Sequence, residues 1–515
     1  LDNSDTVVAD RVSDSLPFNL LGGDIQLKGN AVTPVEEVIG QLNFYRASKI
    51  VVSQPGSAAT QLTFGDLERD GHATLNIDGS GVGVAGLANN VAGTLSPFIT
   101  SGNEWATVGN DNRITTFYDY AAEVNSGLPT DHVKLSNSGT TALEGATIRA
   151  SLNLKNSGAA EQVLDLAGNS LTLTTGGILS SGSGASSIRN GTLSTTAGEM
   201  VITANNDLTI GAAIVNGGSG ATALTKSGPG ALTLAGTNSY TGPTAIVEGS
   251  LIVASDASLG LGSTIELNGG TLVAAASFSS PKGFSVRSGG SIDTAGFDLD
   301  FSGPTTAAIT KEGLGTLTLS GPLNGSFTVD NGVLNLVNAT NGTVDLNRGT
   351  LQAAGTLWNF HPGSLAAEDL ILDIGGPAAA TLTTEIFFPD LSLARLRIEF
   401  GIGNDASDLW KMNSGLFFLS DPGDLQFAFH NLGGVTTDVD YQLISYVDSF
   451  PPSPDLFTFA PDAAAAGWAG TFQSKNTGVY VRFTSVPVPE PGTAALLLLQ
   501  GAALSLAARR WLRRS

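Results

Sequence analysis

The sequence predicts an all-β chain wound as a right-handed parallel β-helix, a β-solenoid, and three observations carry that expectation. A segment repeats, short strands alternate leucine with threonine, and glycine recurs at steps of about twenty residues, the size of one solenoid coil. Residues 224–236 return at 309–321, with Thr225-Lys226 matched by Thr310-Lys311. Within the two copies Leu232-Thr233-Leu234 is matched by Leu317-Thr318-Leu319, and Leu171-Thr172-Leu173 shows the same alternation upstream. A period of two marks a strand with one buried face. Each copy leads into glycine-x-aliphatic steps, Gly249-Ser250-Leu251 with Gly270-Thr271-Leu272, and Gly332-Val333-Leu334 with Gly349-Thr350-Leu351. A further step stands at Gly290-Ser291-Ile292. Such four-residue strands cannot stand alone; stacked on their equivalents they pair their backbones and bury one aliphatic column. Leu171, Leu173, Leu232, Leu234, Leu251, Leu272, Leu317, Leu319 and Leu334 are therefore expected inside.

Composition agrees. Charged residues make up 14% of the 515 residues and there are 65 glycines, against roughly 25% charged and about 7% glycine in ordinary domains. With 41% hydrophobic residues the chain has the material for a core, so it is not a disordered polymer. Cysteine is absent, which excludes disulfides and thiol chemistry. The net charge is −22. A body this acidic repels nucleic acid and anionic membranes, and no basic run precedes the last residues, so no nucleic-acid partner is expected.

Four segments are expected. Residues 1–139 form an N-terminal β-rich solenoid portion and 140–370 the repeat-bearing parallel β-helix. Residues 371–485 supply the final coils and an aromatic-rich cap, because twelve of the 23 phenylalanines lie between 381 and 485 with Trp410 and Trp468. A solenoid end must be covered, or its open edge pairs with another chain. Residues 486–515 are a separate tail.

That tail reads Val488-Pro489-Glu490-Pro491, an uncharged stretch 492–508, then Arg509, Arg510, Trp511, Arg513 and Arg514. Seventeen helical residues span roughly 26 Å, close to a hydrocarbon core of about 30 Å, and arginines mark the cytoplasmic end. The order of these parts resembles the PEP-CTERM sorting signal of Gram-negative bacteria. The resemblance implies an integral-membrane exosortase as processing partner, transient anchoring in the inner membrane by a C-terminal transmembrane helix, and delivery to the cell envelope, surface or matrix. It designates Val488, Pro489, Glu490, Pro491, Arg509, Arg510, Arg513 and Arg514 as the sorting residues. The chain opens at Leu1-Asp2-Asn3 with no apolar run, and a leader removed from its front is expected.

Residues 224–254 and 309–337 resemble the autotransporter-associated β-strand repeat, the passenger-associated transport repeat, the second copy less closely because Pro322-Leu323-Asn324-Gly325 replaces the Tyr240-Thr241-Gly242 turn. Upstream, Leu62-Thr63-Phe64-Gly65, Ala73-Thr74-Leu75-Asn76 and Trp105-Ala106-Thr107-Val108 are similar to N-terminal parts of large surface proteins that carry this repeat. The resemblance implies a β-solenoid at a bacterial surface.

Enzymatic motifs are weak. Gly81-Val82-Gly83-Val84-Ala85-Gly86 fits the dinucleotide pattern, but no helix or βαβ unit follows it, and a glycine-rich loop is expected instead. His72, His132, His361 and His430 stand apart in sequence and are expected as isolated surface or loop residues, with no metal ligand set. Asp405, Asp408, Asp421 and Asp424 offer at most a calcium cluster, and aspartate also simply favours turns. Acids such as Asp165, Glu199, Asp207, Glu248, Glu266, Asp293 and Asp345 are scattered singly. No catalytic residue, cofactor or metal is expected. The function expected is an exported structural or adhesive solenoid, with extracellular polysaccharide as one partner. Its alternatives are a head-to-tail fibre subunit and a β-helix polysaccharide lyase or hydrolase.

Overall fold

The computed structural model describes residues 1–8, 11–12, 14–85, 88–89, 93–218, 220–285, 289–362, 370–374, 380–387, 396–403, 407–412, 425–446 and 453–487. The sorting residues Val488 to Arg514 lie outside them, as do Asp405, Asp421 and Asp424. Among the described residues no helix is long and apolar enough to cross a membrane. The fold is an all-β parallel β-solenoid with a single five-residue α-helix, Pro461–Ala465, among those residues. Contacts divide the chain into two compact units, 1–349 and 350–515.

In the first unit the chain begins with a ten-stranded sheet of its own. Strands Gly23–Lys28, Ala47–Ser53, Thr74–Asp78 and Ile99–Ser101 stack in parallel on one side. Strands Phe18–Leu20, Val35–Phe44, Thr60–Arg69 and Val82–Val84 stack in parallel on the other. Strands from the two sides alternate along the chain, so this module is itself a small two-sided solenoid, filled by Leu27, Ile39, Phe44, Ile50, Phe64 and Ile77, each at most 1% exposed. Glu104–Val108 and Arg113–Thr116 then turn antiparallel and join the two sides. Residues 82–84 are a strand with Val82 and Val84 buried. The glycine-rich motif thus supplies a coil edge, a correction to the loop expected there, since alternating valines favour a pleated buried surface.

From His132 onward the main stack begins. Leu208, Leu232, Leu251, Leu272 and Ile292 lie one above the next in register, as do Leu299, Leu317 and Leu334. All nine leucines expected inside are at most 1% exposed. The glycine steps have a steric cause. Gly249, Gly332 and Gly349 hold φ of 63°, 69° and 88°, a left-handed conformation that side-chain-bearing residues avoid. A Cβ at Gly332 would also press into the carbonyl oxygen of Gly313 on the coil before.

Within the repeated Thr-Lys-x-Gly segment, the lysine is buried. Lys226 Nζ donates to the carbonyls of Ser227, Gly228 and Glu248 at 2.8, 2.6 and 3.0 Å. In the second copy Lys311 Nζ donates to Thr294 Oγ1 at 3.0 Å and to the carbonyls of Glu312, Gly313 and Asn331 at 2.9, 2.7 and 3.0 Å. Burial pushes the two ammonium groups down, to about 7 and about 8, against the pull of neighbouring acids. Each lysine ties its own turn to the turn of the next coil. Lys226→Met keeps the volume and removes the donors, so it should cost roughly 2–4 kcal/mol, as expected when buried carbonyls lose their partners; chemical denaturation read by circular dichroism measures it.

The second unit continues the parallel pattern. Leu370, Leu396, Leu425 and Phe457 stack in register, and Leu382, Trp410 and Ile444 form a second column. Phe400, Phe427, Phe429, Phe457, Trp468 and Phe483 are all buried and touch one another with ring centroids 4.9–6.4 Å apart. These six aromatic residues are therefore core. The parallel order ends where Gly478–Ser485 runs antiparallel to both Asp440–Tyr446 and Ala469–Lys475. Asp408 lies fully buried and accepts the backbone N–H of Ala380 at 2.7 Å and of Gly401 at 2.5 Å. Burial raises it to about 6 despite those bonds; it holds a turn.

Candidate functional site: the seam and cleft of the N-terminal module

The N-terminal module packs against the side of the main stack, all within the first unit, through polar pairs and an apolar cluster. Arg69, at the end of its strand, reaches Glu199 with a two-pronged pair, Nη1 to Oε2 at 2.7 Å and Nη2 to Oε1 at 2.8 Å. Thr225 Oγ1 donates to Glu199 Oε1 at 2.6 Å, and His72 Nδ1 lies 2.9 Å from the same oxygen. The Arg69 guanidinium covers the Phe98 ring at 4.2 Å. Beside it Thr74 and Ser227 share a hydroxyl contact at 2.6 Å, and Asn205 donates to Asn103 at 2.8 Å.

A second cluster lies farther along. Glu104 contacts the Lys134 ammonium through Oε1 and accepts from Asn153 Nδ2 at 2.8 Å through Oε2, while Lys155 stands 3.5 Å from Oε1. Trp105, Phe117, Tyr120 and Leu179 wall this cluster. Gly177 makes room for it: a Cβ there would meet Pro97 at 2.8 Å and the Trp105 ring at 3.0 Å.

These contacts correct two sequence expectations. Glu199 is not a lone acid, and His72 and His132 are not isolated. His132 is 2% exposed, with Nδ1 at 2.6 Å from Ser151 Oγ and its ring edge-on to Phe117. His430 sits 3.1 Å from Glu399, which also pairs with Arg397. The sequence separation between Arg69 and Glu199 hid the first pair, and no local pattern could have exposed it. Among the described residues no group of three histidines or acids is placed to hold a metal ion.

The carboxyl of Glu199 is depressed well below the ordinary carboxylate range: burial opposes its charge, but Arg69, His72 and Thr225 overcome that. A depressed carboxyl binds fewer protons folded than unfolded, so its contribution is present above its ordinary value near 4.5 and fades as pH falls below it. Acidification from neutrality should therefore loosen the seam before the leucine columns melt, and limited proteolysis at residues 117–131 against pH checks this.

Between the seam contacts lies an open cleft of about 860 Å³. Asp24, Arg46, Ser48, Lys49, Asn76, Asp78, Thr100 and Asn103 line it from the module, and Thr203, Asn205 and Glu248 from the main stack. Lys49 and Asp78 pair across 3.0 Å. Hydroxyls, amides and carboxylates around one apolar ring, Phe98, offer hydrogen bonds of both kinds, a lining suited to a polyhydroxylated ligand rather than to an apolar one.

Fold and cleft together define the class: a cysteine-free parallel β-solenoid with a laterally docked module. Residues 224–253 and 309–336 match the passenger-associated-transport-repeat family. The chain is 32% identical over 225 residues to the adhesin BmaC autotransporter of Brucella suis biovar 1 (strain 1330), a stretch covering 42% of this chain and 6% of that protein. The chain thus spans a small part of that relative's length. The crystal structure of the Haemophilus influenzae Hap adhesin matches over 86% of this chain and 64% of that one, at 11% identity and a TM-score of 0.19.

Proposed function

We propose that this chain is an exported, non-enzymatic β-solenoid of the bacterial cell surface or extracellular matrix, with an adhesive or structural role, its coils right-handed. The observation that carries the reading is the polar cleft built where the docked module meets a stack bearing passenger-type repeats. The Brucella relative is an adhesin by name, and adhesion through this cleft to extracellular polysaccharide is the corresponding role here. Three of the acids scattered through the sequence are engaged structurally. Glu199 is held by Arg69, Asp165 by Arg189 and Asn190, and Glu248 accepts the Gly228 N–H at 3.0 Å.

Delivery follows the PEP-CTERM route in this proposal, with an exosortase-type membrane enzyme acting near Pro489-Glu490-Pro491 and the uncharged stretch 492–508 anchoring the chain until then. Fractionation of producing cells with mass spectrometry of the mature C terminus tests it. Released protein ending near Pro491 supports the route, whereas released protein that still carries Trp511 sinks it. Filament formation, the fibre alternative, would show in electron micrographs of the released body.

A further inference from the structure

We infer that Lys134 and Asn153 become joined by a covalent side-chain amide, formed without any added enzyme and promoted by Glu104. Three observations meet here. Lys134 and Asn153 are direct partners on neighbouring parallel strands, His132–Leu135 and Thr147–Asn156. One carboxylate bridges both side chains, Oε1 on the Lys134 Nζ and Oε2 on the Asn153 amide at 2.8 Å. The site is shielded: Asn153 is 0% exposed, Glu104 8%, and the Lys134 ammonium lies 4.9 Å over the Tyr120 ring. Within it the side-chain carbonyl oxygen of Asn153 is buried with no hydrogen-bond partner. Buried polar atoms are normally satisfied, and an exception needs a reason.

The chemistry balances without an oxidant or reductant. Glu104 takes a proton from the Lys134 ammonium, leaving an amine held against the Asn153 amide, where proximity replaces a bimolecular encounter. Nζ attacks Cγ, the Cγ–Nδ2 bond breaks, and the electron pair leaves with nitrogen. Of the three protons on Nζ one stays on the new amide. The other two pass through Glu104 to the departing nitrogen, which leaves as ammonium, and the carboxylate is restored. Glu104 comes from the N-terminal module, whereas the two joined residues belong to the first coils of the main stack. The bond would therefore form only after the module has docked. Lys155, also on Oε1, is 40% exposed and shares the strand of Asn153, so Lys134 is the nucleophile.

Intact-mass measurement of the full folded chain, followed by peptide mapping, tests this directly. The expected mass is below the sequence mass by about 17 Da, one ammonia, and digestion should give a branched peptide joining the segments around Lys134 and Asn153. Lys134→Arg and Glu104→Gln should each restore the full mass, and Glu104→Asp should retain some of the branched product. Folded wild-type protein at full sequence mass, with Lys134 and Asn153 in separate linear peptides, overturns the inference. So does ammonia loss confined to an Asn153 succinimide with a linear Lys134 peptide.

Discussion

Leu234→Asp is expected to destabilise the first unit by about 5 kcal/mol or more, enough to unfold a typical domain. A buried charge without a partner costs several kcal/mol, and the aspartate also forfeits the packing of a large aliphatic side chain. Leu234 is 1% exposed and sits between Ile210 below and Val253 above, so no shift of its own coil carries the carboxylate to water. Leu234→Ala should cost less, about 2–5 kcal/mol. The neighbouring Thr233→Asp, on the outward face, should stay under about 1 kcal/mol. Thermal melting of the three variants, read by circular dichroism, would show that ranking; equal effects at 233 and 234 would contradict the inward and outward assignment.

The second large effect is expected at the seam. Glu199→Ala removes the shared acceptor of Arg69, His72 and Thr225, and leaves a guanidinium whose side chain is 15% exposed. Breaking such a pair by deleting one partner costs roughly 3 kcal/mol. The loss should appear as undocking of the N-terminal module rather than as melting of the leucine columns, because module and stack each pair their own strands. The expected readout is rapid proteolysis within residues 117–131, where Tyr118 and Leu128 are 78% and 65% exposed, leaving a resistant fragment that starts near His132. Proteolysis no faster than in the unaltered protein would refute the seam as the holding contact.

The leucine columns were legible because a strand shows its buried face at every second residue, and Leu171, Leu232 and Leu317 sit in that rhythm. The glycine steps were legible too, since a left-handed backbone at Gly249 or Gly332 tolerates little else. Lys226 and Lys311 recur in the two repeats, but a lysine ordinarily reads as a solvated surface residue, and only the stacked carbonyls reveal its place inside. The seam was hidden for a different reason. Arg69 and Glu199 lie on separate stacks, and nothing local in either strand encodes which side of one solenoid meets the other. Glu104, Lys134 and Asn153 share that fate. The aromatic residues beyond 381 were recognised as a distinct texture, while the burial of Phe400, Phe427 and Phe429 as core came only from the parallel register that stacks Phe400 on Phe429.

In the proposed role, the cleft between module and stack binds extracellular polysaccharide. Isothermal titration of the producing cell's extracellular polysaccharide into the protein tests it most directly. A companion variant fills the rim at one exposed position, Asp24→Trp. Saturable binding to the unaltered protein is expected, weakened about tenfold or more in the filled variant, a loss of about 1.4 kcal/mol, with the melting temperature unchanged. No binding to the unaltered protein, or equal binding to the filled one, would contradict it.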